Sequence, residues 1–192
     1  MSYTTYTTEA IICGGRDRNT FDRSLLLFTR EGGMLYAEAR AARREHSKQR
    51  YALQDFTRVR VSLVRGKSTW RIGSIEALEN FYTTAGSREA RGSVVRIIKM
   101  LRRFARGEEA HKEVYDYIEQ ALRLLSGPVA QRPFLEALVQ VHFLGYLGYV
   151  AMASLPLPLQ SLDLTQCATQ SKPEYLPLLE RYLAASIEHS HL

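Results

Sequence analysis

Apolar and polar positions alternate over most of the first eighty residues. In "MLYAEAR" Leu35, Ala37 and Ala39 fall on one face and Tyr36, Glu38 and Arg40 on the other. "RVRVSLV" repeats the pattern, with Val59, Val61 and Leu63 inward and Arg58, Arg60 and Ser62 outward. "TWRIGSIEAL" sets Trp70 and Ile72 against Arg71, and "SLLLFT" is a short apolar strand that ends at the turn "REGG". Upstream, the Thr-rich "TYTTEAII" predicts a strand that stops at the breaker Gly14-Gly15. Five strands with connections too short for crossover helices predict a small barrel. A long insertion between the third and fourth strands fits an OB-type barrel, and the spacing also allows an SH3-like one.

After about Leu78 the period becomes helical. Val94, Ile97, Ile98, Leu101 and Phe104 share one face, and Arg96, Lys99, Arg103 and Arg106 share the other, up to Gly107. A second helix is expected from about Glu108 to Gly127-Pro128, a third from about Pro133, and a final amphipathic one in "PEYLPLLERYLAASIEHS". The expected class is α+β: an OB-fold-like barrel over 1–78 followed by an all-α helical bundle over 79–192. From Ala137 to Leu162 there is no Asp, Glu, Lys or Arg. Gln140, His142, two glycines and then Pro156 and Pro158 interrupt that run, so it predicts a buried central helix rather than a membrane span.

Charge sharpens the division. Residues 1–107 hold 21 Lys/Arg against 10 Asp/Glu, whereas residues 108–192 hold 5 against 10. A basic half of this kind suits a polyanion. The cations concentrate after the third strand, at Arg40, Arg43, Arg44, Lys48 and Arg50. Phosphates need a cationic groove, and unpaired bases need exposed aromatic rings. Tyr36, Arg40, Arg43, Arg44, Lys48, Arg50, Arg58, Arg60 and Arg71 are therefore the candidate DNA-binding residues. With no base-reading motif, the binding should be largely independent of sequence. Arg96, Lys99, Arg102, Arg103 and Arg106 form a second candidate face, which suits a continuation of the DNA path, an acidic peptide whose carboxylates pair with arginine, or simply the solvated side of a helix; the acidic peptide is the partner expected. The rival reading is an interaction scaffold whose basic barrel face meets an acidic protein.

No catalytic constellation is present: there is no P-loop, G-x-S-x-G, H-E-x-x-H or C-x-x-C, and no enzyme activity is expected. His142, on an apolar helix, reads as a hydrogen-bonded core residue, and Cys13 as packing. Neither a metal nor a cofactor is expected. The two cysteines, Cys13 and Cys167, make no disulfide framework, and "MSYTTYTTEAII" is no secretory signal. A reducing, cytoplasmic setting is the expectation.

The basic stretch also carries a family likeness. "FTREGGMLYAEARAARREHSKQRYALQDF" resembles the amino-terminal domain of RecO, the bacterial recombination mediator family. Phe28-Thr29, Gly33, Leu35, Arg40, Ala42-Arg43-Arg44, Ser47 and Leu53-Gln54-Phe56 fall at that family's intervals without a gap. Arg16-Asp17 and Asp22-Arg23 match an upstream segment, and "FLEALVQVHFLGYLGY" resembles the helix that ends in Leu-Gly-Tyr. The likeness covers roughly residues 6–150. It departs from the pattern at Thr20, at Arg40-Ala41 and at Asp55, where the family has an acid, Lys-Gly and proline. Many members continue into a four-cysteine zinc module; here Met152 and prolines follow, Cys167 stands alone, and the module is not expected. The resemblance implies a repair and recombination mediator, associated with the nucleoid, that anneals strands and helps load recombinase. The partners it implies are single-stranded DNA foremost and duplex DNA second, a RecR-like mediator, and the acidic tail of single-stranded DNA-binding protein.

Overall fold

The computed structural model describes residues 5–18, 22–40, 51–66, 69–109 and 111–189. They form two compact units. The first comprises residues 1–84 and 105–115, and the second residues 85–104 and 116–192.

Five strands build the first unit: β1 (Thr5–Asp17), β2 (Arg23–Thr29), β3 (Gly33–Ala39), β4 (Thr57–Arg65) and β5 (Trp70–Asn80). They close in the order β1-β2-β3-β5-β4, with β4 pairing back onto β1. The β3–β5 contact is parallel, Ala37 opposite Trp70 and Glu38 opposite Arg71, and every other pairing is antiparallel. This is an OB-fold-like barrel. The alternation read from sequence is what fills it. Ala10, Ile12, Leu25, Leu27, Leu35, Ala37, Val59, Val61 and Leu63 converge inside, and Leu53, from the connection before β4, joins them.

β1 does not stop at its glycines. It runs on to Asp17 and absorbs them in a bulge between Ile12 and Gly14, after which Gly14, Gly15 and Arg16 pair with Leu26, Leu25 and Ser24. Glycine reads as a breaker in isolation, but a continuous partner strand holds it in the ladder. Cys13 is buried at the bulge. Asp55, where the related pattern has proline, accepts from Arg23 at 2.9 Å, and Arg23 also donates to Leu53 O at 2.7 Å. That pair anchors the end of the long insertion to β2. At the end of β5, Asn80 Oδ1 accepts from the Tyr82 and Thr83 N–H groups and so caps the single turn α1 (Phe81–Thr84).

The second unit is helical: α2 (Arg88–Phe104), the part of α3 (Lys112–Ser126) from Asp116 on, α4 (Arg132–Tyr146), α5 (Leu164–Thr169) and α6 (Leu176–His189). Ser87 Oγ accepts from Ala90 N and starts α2, which buries Ala90, Val94, Ile97, Ile98, Leu101 and Phe104. α4 is buried on nearly every side, as the uncharged run that begins at Ala137 predicts, and no described helix is long and apolar enough to cross a membrane. α5 was not foreseen; Asp163 caps it by accepting from Thr165 N and Gln166 N at 3.0 Å each.

The helix boundaries after α2 also shift. α2 ends at Phe104, because the chain rejoins the barrel unit at Ala105, so Arg106 lies beyond the helix. α3 starts at Lys112 rather than Glu108, because residues 107–109 run in extended contact with the start of β3. Met34 N donates to Gly107 O at 3.0 Å there.

His142 is fully buried in α4. Its Nε2 lies 2.6 Å from Leu159 O, and a carbonyl only accepts, so Nε2 carries the proton. Nδ1 then accepts from Tyr117 O–H at 2.7 Å, and one neutral ring ties α3, α4 and the 155–159 segment together. Burial holds the His142 pKa below its ordinary value, opposed in part by the Leu159 bond. Above pH about 6.5 the unfolded histidine is neutral too, and the full contribution to stability is present. As pH falls below that, the unfolded chain takes up a proton the fold refuses, and stability is lost down to the depressed folded value. Urea midpoints should therefore drop between pH 7.5 and 5. The drop should be smaller in His142→Gln; an equal drop would exclude this ring as a source.

Candidate nucleic-acid interface

One end of β3 gathers the features a single strand needs. Tyr36 projects from the barrel with half its surface exposed, and the Arg16 guanidinium sits 5.4 Å from its ring centroid. Arg16 is there only because β1 continues past the glycines. Arg40, next in alternation after Tyr36 and Glu38, is exposed at the end of β3. Arg71, opposite Glu38 on β5, is exposed and has no ion pair with a described residue.

Glu38, the acid of this surface, is half-buried and engaged. It pairs with Arg18 and accepts from Thr69 Oγ1 at 3.3 Å. It therefore ties the end of β1 and the start of β5 to β3.

The remaining sequence-predicted residues divide. Arg43, Arg44, Lys48 and Arg50 lie outside the described residues. Arg58 and Arg60 do point outward, but from a strand that does not adjoin the one carrying Tyr36. β4 is not a neighbour of β3, and these two arginines pair with the far end of β5. Arg58 Nη2 donates to Glu9 at 2.8 Å, and Arg60 lies 3.5 Å from Glu76 and 3.9 Å from Glu9. With Glu79 opposite Arg58, two arginines meet three glutamates, so that patch carries no excess of positive charge.

The helical candidates divide as well. Lys99 and Arg102 are exposed on α2. Arg103 is half-buried and donates to Ile187 O at 3.4 Å. Arg96 grips the buried Glu136 carboxylate through Nε and, at 2.7 Å, through Nη2, so it holds α2 to α4. Arg106 is off the helix. Lys99, Met100, Arg103, Phe104, Leu144 and Ile187 line a groove of about 230 Å³ between α2, α4 and α6.

Sequence reasoning missed Arg16, Arg18, Arg65 and Trp70. For the first two the signal existed, since counting by twos from Gly14 reaches both. Among the described residues, no group of three or more His, Cys, Asp or Glu is placed to hold a metal ion.

Residues 1–81, which cover the barrel strands, match the family described as "Recombination protein O N terminal". The chain is RecO-like. A "DNA repair protein RecO" of Desulforudis audaxviator is 34% identical over 121 residues, which are 63% of this chain and 49% of that one. One of Pelotomaculum thermopropionicum is 28% identical over 144 residues, 75% and 56% of the two chains. One of Heliobacterium modesticaldum is 25% identical over 190 residues, 97% and 67%. The RecO-like chain spans about half the length of the first two of these relatives.

Proposed function

We propose that this RecO-like chain binds single-stranded DNA without sequence preference and acts in DNA repair and homologous recombination as a mediator. It holds and anneals single strands and helps load recombinase on them. The observation that carries the reading is the half-exposed Tyr36 ring beside Arg16, with Arg40 and Arg71 on the same face of an OB-fold-like barrel. Bases stack on the ring while the guanidinium groups follow the phosphates. Arg43, Arg44, Lys48 and Arg50, which follow Arg40 closely in the sequence, add to the positive charge of this part of the chain. The relatives are DNA repair proteins by name, which agrees with this role.

The test is a salt titration on a labelled oligonucleotide. About five neutralised phosphates give a log–log slope near −3.5, and replacing Arg40 and Arg71 together by Ala should flatten it by about 1.4. Tyr36→Ala should cost about 1–3 kcal/mol of affinity and leave the slope unchanged, because stacking releases no counterions. A wild-type slope near zero would sink the reading.

The groove between α2, α4 and α6 supports a partner contact beside it. Apolar Met100, Phe104, Leu144 and Ile187 would take an aromatic terminal ring, and Lys99 and Arg103 the carboxylates around it. The acidic tail of single-stranded DNA-binding protein has that chemistry, and a RecR-like mediator is the second partner the resemblance implies. An acidic peptide that binds while oligonucleotide does not would leave the scaffold reading in its place.

A further inference from the structure

The rim of the barrel holds a second arrangement of phosphate- and base-binding groups, and it is occupied from within. Arg65 and Trp70 face each other across the β4–β5 ladder, and the Arg65 guanidinium lies 4.9 Å from the Trp70 ring centroid. A single carboxylate serves both. Glu108 accepts from Trp70 Nε1 at 3.2 Å and lies 3.5 Å from Arg65 Nη1. An indole N–H and a guanidinium converging on one anion beside an aromatic ring are the donors a phosphodiester with its base would use.

The backbone that delivers Glu108 is fixed. Met34 N donates to Gly107 O, and Gly33 has no Cβ to keep the 107–109 backbone away from β3. The carboxylate itself is loosely held. The Glu108 side chain is 50% exposed and that of Arg65 69%, so parting them is cheap. What moves is therefore a side chain on a pinned segment.

We propose that Arg65 and Trp70 form a nucleotide-binding site for single-stranded DNA at the barrel rim, filled in the free protein by the Glu108 carboxylate, which a phosphate displaces. This rests on the reading that the barrel binds single strands, and it adds the site and its internal competitor. Trp70 is the chain's single tryptophan, so its emission reports this site alone.

The experiment titrates oligo(dT) into the full chain at low salt, following both anisotropy of the labelled strand and Trp70 emission. Wild type should change its emission on saturation. Glu108→Gln should bind about two- to fivefold tighter, the range expected for release of one exposed ion pair. Glu109→Gln removes the same charge one residue away, where the side chain is 84% exposed and touches neither donor, and it should gain less. Adding Arg65→Ala to Glu108→Gln should abolish the gain. Silent Trp70 emission at saturation overturns the proposal, as does an equal gain in Glu109→Gln or a gain that survives loss of Arg65. Oligonucleotide that binds with silent emission defeats this site only; oligonucleotide that does not bind defeats the barrel-face reading and this site with it.

Discussion

Gly33→Ala should lower the melting temperature by about 10 °C, the larger of two stability effects expected from single substitutions. Gly33 sits at φ 65°, where an L side chain costs about 1–2 kcal/mol. A Cβ there would also fall 2.4 Å from Glu109 O, 2.7 Å from Gly107 O and 2.8 Å from Glu109 N. All three are backbone atoms, so no rotamer change relieves the clash. The segment must lift away from β3, which strains the Met34–Gly107 hydrogen bond. Together these should cost on the order of 3 kcal/mol, or about 6–12 °C for a chain of this size. Gly107→Ala is the control: at φ 82° with nothing within 4 Å of its Cβ, it carries the conformational cost alone. If thermal melts show the two variants equally destabilised, the close approach is not what requires glycine at 33.

The second large effect is expected at the bond between α2 and α4. Removing Arg96 leaves the Glu136 carboxylate, whose side chain is only 9% exposed, with Gln140 Nε2 at 3.4 Å as a weak donor among the described residues. Breaking a buried pair this way costs about 3–5 kcal/mol when both partners are buried. The Arg96 side chain is 55% exposed, so about 2–3 kcal/mol is expected from urea denaturation of Arg96→Ala. Glu136→Gln should cost less, since the neutral amide still accepts from Arg96 and the freed cation reaches water. Lys99→Ala, on the exposed side of the same helix, should be nearly silent. Arg96→Ala as mild as Lys99→Ala would return Arg96 to the pool of partner-binding cations.

These two sites show where sequence reading stops. Period-two alternation correctly turned Tyr36 and Arg71 out of the barrel and Val59, Val61 and Leu63 into it, because every strand here buries one face against a common core. It also turned Arg58 and Arg60 outward. What it could not supply was Glu9, 49 residues from Arg58 in the chain and brought beside it by β1–β4 register. Helical spacing likewise put Arg96 on the polar side of α2, yet Glu136 comes from a helix that is largely apolar and buried. Direction is local information, and charge pairing across elements is not. His142 was legible for the opposite reason: an apolar run leaves a polar ring few states besides a satisfied one. Arg16 was lost to the rule that glycine breaks strands, and Arg106 to a helix end set by the path of the chain.

That path bears on how the protein is made. The barrel unit takes residues 1–84 and then 105–115, so its last contacts, the Gly107 backbone against Met34 and the Tyr115 ring against Phe28, come from residues translated after all of α2. Chains tend to fold from the amino terminus as they emerge. Here the five strands emerge first and must wait, with β3 and Phe28 uncovered, until the returning segment arrives. Closing contacts between residues more than seventy positions apart is slow. A nascent barrel of this design has an interval of exposure written into its gene order, and a fragment cut after β5 would be arrested in that interval permanently.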